Sequence, residues 1–179
     1  MNVFWRQGYE GASLNDLTAA MGINRPSLYA AFGDKEALFR KALDRYEAGA
    51  CYVRRALQEP TARGFAETLL EGAAESVTNP QHPKGCLVVQ GALAGGAQTE
   101  CVRKELIARR DAGEKMIRQR LKRARAEGDL PADANPADLA RYLVTVARGL
   151  AVQAAGGATR TELRRVIQLA MRAWPETKQ

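Results

Sequence analysis

Between Leu14 and Gly33 two short helical patterns meet at the corner Gly22-Ile23-Asn24, and this pairing limits the fold more than any other stretch of the chain. Ser13 precedes the first pattern and Asp16 follows three residues on, so Ser13 is expected to cap a helix whose positive end Asp16 favours. Leu14, Leu17 and Met21 then recur at helical spacing as one apolar stripe, and Gly22 ends the helix. Asn24 is the cap of the second helix, with Pro26 in the first turn, where a missing N–H costs nothing. This helix ends near Phe32-Gly33. Asp34 caps a third helix, on which Ala37, Leu38, Ala42 and Tyr46 continue the spacing and which is expected to reach about Leu57. A corner of three residues needs one that is free to adopt positive φ, and Gly22 supplies it.

The rest of the chain is punctuated in the same way. Helices are expected over residues 62–77, 86–94, 100–126, 136–155 and 161–174, separated by Gly, Pro or Asn-Pro, with a two-proline loop over 79–85. Two-residue alternation is almost absent, which predicts an all-α fold. A length of 179 residues suits a small module joined to a larger one. The division is placed at residues 1–46, a three-helix helix-turn-helix module, and 47–179, a larger helical domain.

On the second helix Leu28 and Phe32 face inward, leaving Arg25, Ser27, Tyr29 and Ala30 outward. Arg pairs with guanine edges or phosphate, Ser and Tyr hydroxyls donate to phosphate oxygens, and Ala fits a thymine methyl. Lys35 opens the third helix, where its charge and the free backbone N–H groups suit a phosphate. A net charge of +7 and a pI near 9.6 agree with a polyanionic partner. By itself this arrangement is equally a tight helical corner of no special function.

Gly8-Tyr9-Glu10-Gly11-Ala12-Ser13-Leu14 and the run from Gly22 to Leu38 resemble the DNA-binding domain of the tetracycline-repressor (TetR/AcrR) family. The resemblance implies an all-helical homodimer on double-stranded operator DNA, with the recognition helix beginning at Asn24. Carried over by position, Ser13, Arg25, Ser27, Tyr29, Ala30 and Lys35 are the expected DNA contacts, and Asn24 is included in the site. The family more often places bulkier aromatics or His at positions 30 and 31, both Ala here. It also has a fuller first helix, so Met1 is read as an internal methionine with residues missing upstream. The function implied is a one-component bacterial regulator, a repressor released from a palindromic operator when an effector binds the larger domain. An activator, and a helical adaptor whose helix-turn-helix has lost DNA binding, stay open beside it.

For the larger domain the resemblance names no ligand. Gln90, Gln98, Met116, Tyr142 and Gln153 are nominated for an effector pocket by residue type and region alone. Leu139, Leu143, Val146, Leu150 and Val152, with Leu163, Val166, Ile167, Ala170 and Trp174, supply apolar positions through which helices 137–155 and 161–174 of two protomers would form a four-helix bundle. Ten basic residues over 103–125 are read mainly as a solvated helix face. Cys86, after Lys84-Gly85, is expected at a helix start, where a thiol is activated, and offers a redox sensor against the alternative of a packing residue. Cys51, Cys86 and Cys101 are too scattered for a disulfide framework, and His82 alone gives no metal centre, so no cofactor or metal is expected. With a single His and no phosphate loop, catalysis is hard to assemble. No apolar run approaches the roughly 20 residues of a membrane span, and no signal peptide is visible, so the cytoplasm is the expected compartment.

Overall fold

The computed structural model describes residues 1–91 and 99–175, and every regular element among them is a helix. Four helices build the N-terminal module: α1 (Asn2–Gly11), bent at Gly8, α2 (Leu14–Met21), α3 (Arg25–Phe32) and α4 (Lys35–Ala48). The expected caps form. Ser13 Oγ accepts the Asp16 N–H at 3.1 Å while the Asp16 carboxylate accepts from the Ser13 N–H and hydroxyl, a closed capping box. Asn24 Oδ1 accepts the Ser27 N–H at 2.8 Å, and Asp34 accepts that of Ala37 at 2.7 Å. Gly22, at φ 65° and ψ 30°, takes the left-handed conformation that turns α2 into α3.

Phe4, Trp5, Leu17, Leu28, Phe39 and Leu43 form the buried centre of this module. The Phe39 ring meets Phe4 at 5.0 Å and Tyr9 at 5.2 Å, both edge-on. Leu87, Val102 and Leu106, far along the chain, join the same cluster, so the module is seated on the larger domain rather than tethered to it.

Beyond α4 follow α5 (Cys51–Leu57), α6 (Ala62–Val77), α7 (Leu87–Gln90), α8 (Glu100–Ala126), α9 (Pro136–Ala155) and α10 (Arg160–Arg172). Phe65, Leu70, Leu121, Leu143, Leu150 and Leu163 make up the inner layer where α6, α8, α9 and α10 meet. Among the described residues no helix is long and apolar enough to cross a membrane.

Four sequence expectations change. The third helix does not run on to Leu57: it stops at Ala48, Ala50 leaves helical geometry, and α5 starts afresh at Cys51. The break lets α5 turn onto α6, where Gly72 leaves room for Tyr52 that any Cβ would fill. Met21 lies exposed rather than in the apolar stripe, because that stripe turns away from the core before the helix ends. Within the basic run, Arg120 is only 5% exposed; it donates to the carbonyls of Glu59 (2.8 Å) and Pro60 (3.3 Å) and lies over the Phe65 ring, fastening the α5–α6 connection. Of the helix expected over 86–94 only Leu87–Gln90 is helical; residues 92–94 lie outside the described residues.

Candidate nucleic-acid interface and inner cavity

The outer face of α3 presents Arg25, Ser27, Tyr29 and Ala30, all exposed, while Leu28 between them is fully buried. Tyr29, at 45% exposed, is a large ring with little to pack against in the free protein. Arg25 Nη2 donates to Asn15 Oδ1 at 2.8 Å, tying the start of α3 to α2 and holding the guanidinium at the module's surface. Asn24 and Ser13 direct their side-chain oxygens to backbone N–H groups as caps, so their first task is to shape the corner. Lys35, the first residue of α4, rests its ammonium 4.6 Å from the centre of the Tyr9 ring. Burial lowers its pKa from the ordinary lysine value, with Glu10 pulling the other way. Arg25 lies at the N-terminus of α3 and Lys35 at that of α4, positions whose backbone N–H groups suit a phosphate.

A second feature lies at the far end of α4. Tyr46, Tyr52 and Cys86 meet Met116, Arg110 and Arg148 around a cavity of about 200 Å³ between α4, α5, α6, α8 and α9. It adjoins an outer cleft that shares Tyr46, Tyr52, Cys86 and Met116 with it. Tyr46 and Cys86 both line the cavity, and burial, then the neighbouring thiol, raises the Tyr46 pKa. The same two causes push Tyr52 up to about 12. Alongside, Arg109 binds Asp44 (2.6 Å) and Glu47 of α4 together with Glu105 of its own helix (2.7 Å). Burial opposes the charge on Arg109, but the surrounding carboxylates hold its pKa above the ordinary arginine value.

Residues 1–42 match the family model "Bacterial regulatory proteins, tetR family", and residues 66–173 match "Tetracyclin repressor-like, C-terminal domain". The chain belongs to the TetR family. It is 30% identical over 184 residues to the HTH-type transcriptional repressor ComR of Escherichia coli (strain K12), covering 98% of this chain and 85% of that protein. Among solved structures, a cysteine mutant of the TetR family transcriptional regulator CifR, complexed with 26-bp double-strand operator DNA, superposes with a TM-score of 0.93 at 46% identity, covering 97% of this chain and 92% of that one. A putative TetR transcriptional regulator from Rhodococcus sp. RHA1 gives a TM-score of 0.68 at 42% identity, with 99% and 96% covered. This TetR-family protein is accordingly a DNA-binding transcriptional regulator.

In the regulator, the residues expected at DNA lie on or just before α2, α3 and α4, whereas those nominated for the pocket do not come together. Met116 lines the cavity. Tyr142 donates its hydroxyl to the Ala170 carbonyl at 2.7 Å, Gln153 is exposed, and Gln90 sits against Gly85; none of the three lines the cavity. Gln98 lies outside the described residues. Cys86 is not within a helix but is the N-cap of the four-residue α7, half-buried at the cavity wall. The sequence marks Tyr46 only as an apolar position of the third helix and does not point to Tyr52, Arg110 or Arg148 as pocket residues. Arg148 did leave a signal, a cation in the otherwise apolar run from Leu143 to Val152.

Proposed function

We propose that the regulator is a repressor that binds a palindromic operator as a homodimer and leaves it when a small molecule occupies the inner cavity. The observation that carries this reading is that α4 runs from Lys35, the residue expected at phosphate, to Tyr46 in the cavity wall. At 1.5 Å per residue the two sites are about 17 Å apart along one helix. A ligand that displaces Tyr46 tilts α4, and the α3 helices of the dimer lose the spacing of roughly one DNA turn, about 34 Å, that adjacent half-sites require. The division of labour is placed at residues 1–46 for DNA and 47–179 for effector and dimer. A regulator that acts on operator DNA is expected in the cytoplasm, and the relatives named above, regulators rather than enzymes, support reading it as non-catalytic.

Selection from random duplex DNA, followed by titration of the enriched sequence at several salt concentrations, tests the proposal. A palindrome bound at nanomolar affinity is the expected outcome; absence of enrichment would favour the adaptor reading instead. Tyr29→Ala is expected to weaken operator binding about tenfold or more, and Lys35→Ala to weaken it on all sequences while reducing the salt slope by about one. Unchanged affinity in both variants would remove these residues from the interface.

The Cys86 thiol against Tyr46 favours a second reading, in which an electrophile replaces the reversible ligand. In a Cys51→Ser/Cys101→Ser background iodoacetamide should alkylate Cys86, forming a C–S bond with loss of iodide and the thiol proton, and free the operator. Release that persists after Cys86→Ser sinks this reading.

A further inference from the structure

Arg110 of α8 and Arg148 of α9 converge on the inner cavity. Arg148 Nη2 reaches the Arg110 backbone carbonyl at 3.5 Å, and Arg110 Nε donates to the Leu106 carbonyl at 3.2 Å. Among the described residues neither guanidinium takes part in an ion pair. Their neighbours do: Arg109 holds three carboxylates, and Arg141 holds Glu114 at 2.7 Å. Among the described residues Glu114 is the one carboxylate in the cavity lining, and this pairing already engages it.

The remaining wall is largely apolar, with Leu69, Ala73, Val77, Ile117, Val144 and Ala151 in the same lining as the two cations. Burial, then the charge of Arg148, lowers the pKa of Arg110 from its ordinary value. Asp111 and Cys86 act the other way on Arg110, but among the described residues no carboxylate pairs with either guanidinium, and an anion placed between the two like charges relieves both the repulsion and the lost solvation. Tyr46 and Tyr52, whose pKa values are raised, keep their O–H groups at neutral pH and can donate to the same anion.

We propose that the cavity binds a small organic anion, its carboxylate between Arg110 and Arg148 and its apolar body against Leu69, Ala73, Val77 and Val144. This rests on the effector-release reading above and names the chemical class of the effector. A volume near 200 Å³ is below the roughly 300–1,000 Å³ of sites for drug-sized ligands. The inner part of the site therefore takes an anion of the size of benzoate or a short-chain carboxylate, and the adjoining cleft of about 730 Å³ leaves room for a longer body. Guanidinium–carboxylate geometry sets the orientation, and the apolar end selects against inorganic anions.

The test is calorimetric titration of the full-length protein with benzoate, phenylacetate and hexanoate, each beside its neutral amide, with labelled operator release followed in parallel. At least one carboxylate is expected to bind tenfold or more tighter than its amide. Arg110→Gln and Arg148→Gln should each lower that affinity about tenfold to a hundredfold, Arg148→Lys should recover part of it, and circular dichroism and operator binding without ligand should stay unchanged. The anion site is overturned if no carboxylate binds at millimolar concentration, if the amides bind as tightly, or if the folded Arg110→Gln/Arg148→Gln double variant keeps its carboxylate affinity. A carboxylate that binds as predicted without freeing the operator supports the anion site and overturns effector release. Release by an amide alone does the reverse.

Discussion

Val166→Glu together with Leu169→Glu is expected to leave the regulator monomeric and to lower operator affinity by a factor of about 10² or more. The two side chains are 46% and 61% exposed on α10, one helical turn apart, and Val152 on α9 is 48% exposed. Leu163, Ile167, Met171 and Trp174 already satisfy the inner side of α10 and the turn after it, so Val166 and Leu169 contribute little to the fold of one protomer. In the homodimer proposed above, a second copy would cover these apolar side chains, with a twofold axis bringing each residue close to its own equivalent. Glutamates there would face glutamates across the axis. Without the partner, two linked recognition helices become two independent ones, and the avidity of roughly 10²–10⁴ from linkage disappears. Sedimentation equilibrium and operator titration of the same preparation provide the check. A variant still dimeric at micromolar concentration would move the interface elsewhere, and an intact helical spectrum would show that the chain itself still folds.

Phe39→Ala should cost about 3–5 kcal/mol of stability, the usual range for emptying a buried aromatic site. Phe39 is fully buried and makes edge contacts with Phe4 and Tyr9. Neither ring can move into the gap without unpacking α1, so collapse offers little compensation. For a chain of this size each kcal/mol shifts the melting temperature by about 2–4 °C, which predicts a fall of roughly 6–20 °C in a thermal melt. Because Leu87, Val102 and Leu106 belong to the same cluster, the loss should appear in one transition rather than as separate melting of the DNA-binding module. A change under about 1 kcal/mol would show that the site repacks.

The helix-turn-helix could be read from the sequence because its determinants are local. Ser13 with Asp16, Gly22, Asn24 and Asp34 each act within three residues of their own position, and each forms the cap or turn that its type demands. The cavity could not be read that way. Tyr46, Tyr52, Cys86, Arg110 and Arg148 come from five segments, and only the packing of α4, α5, α8 and α9 brings them together. Two near misses have the same origin: Arg120 looks like one more surface cation until the α5–α6 connection folds over it, and α4 looks continuous with α5 until Tyr52 needs its place beside Gly72. The choice between Met116, which lines the cavity, and Tyr142, which bonds to α10, likewise depended on helix register that residue type does not carry.

Arg109 gives the protein a second point at which ionic strength acts. Its carboxylate partners Asp44 and Glu47 are 63% and 43% exposed at the end of α4, so dissolved ions reach the bridge between α4 and α8 as well as the groove where Lys35 would meet phosphate. In the release mechanism proposed above, salt would weaken the grip on DNA and, by the same screening, free the lever that aims the reading helix. The steepness of operator dissociation with salt therefore sums counterion release and hinge loosening, and a count of neutralised phosphates taken from the slope alone will come out too high.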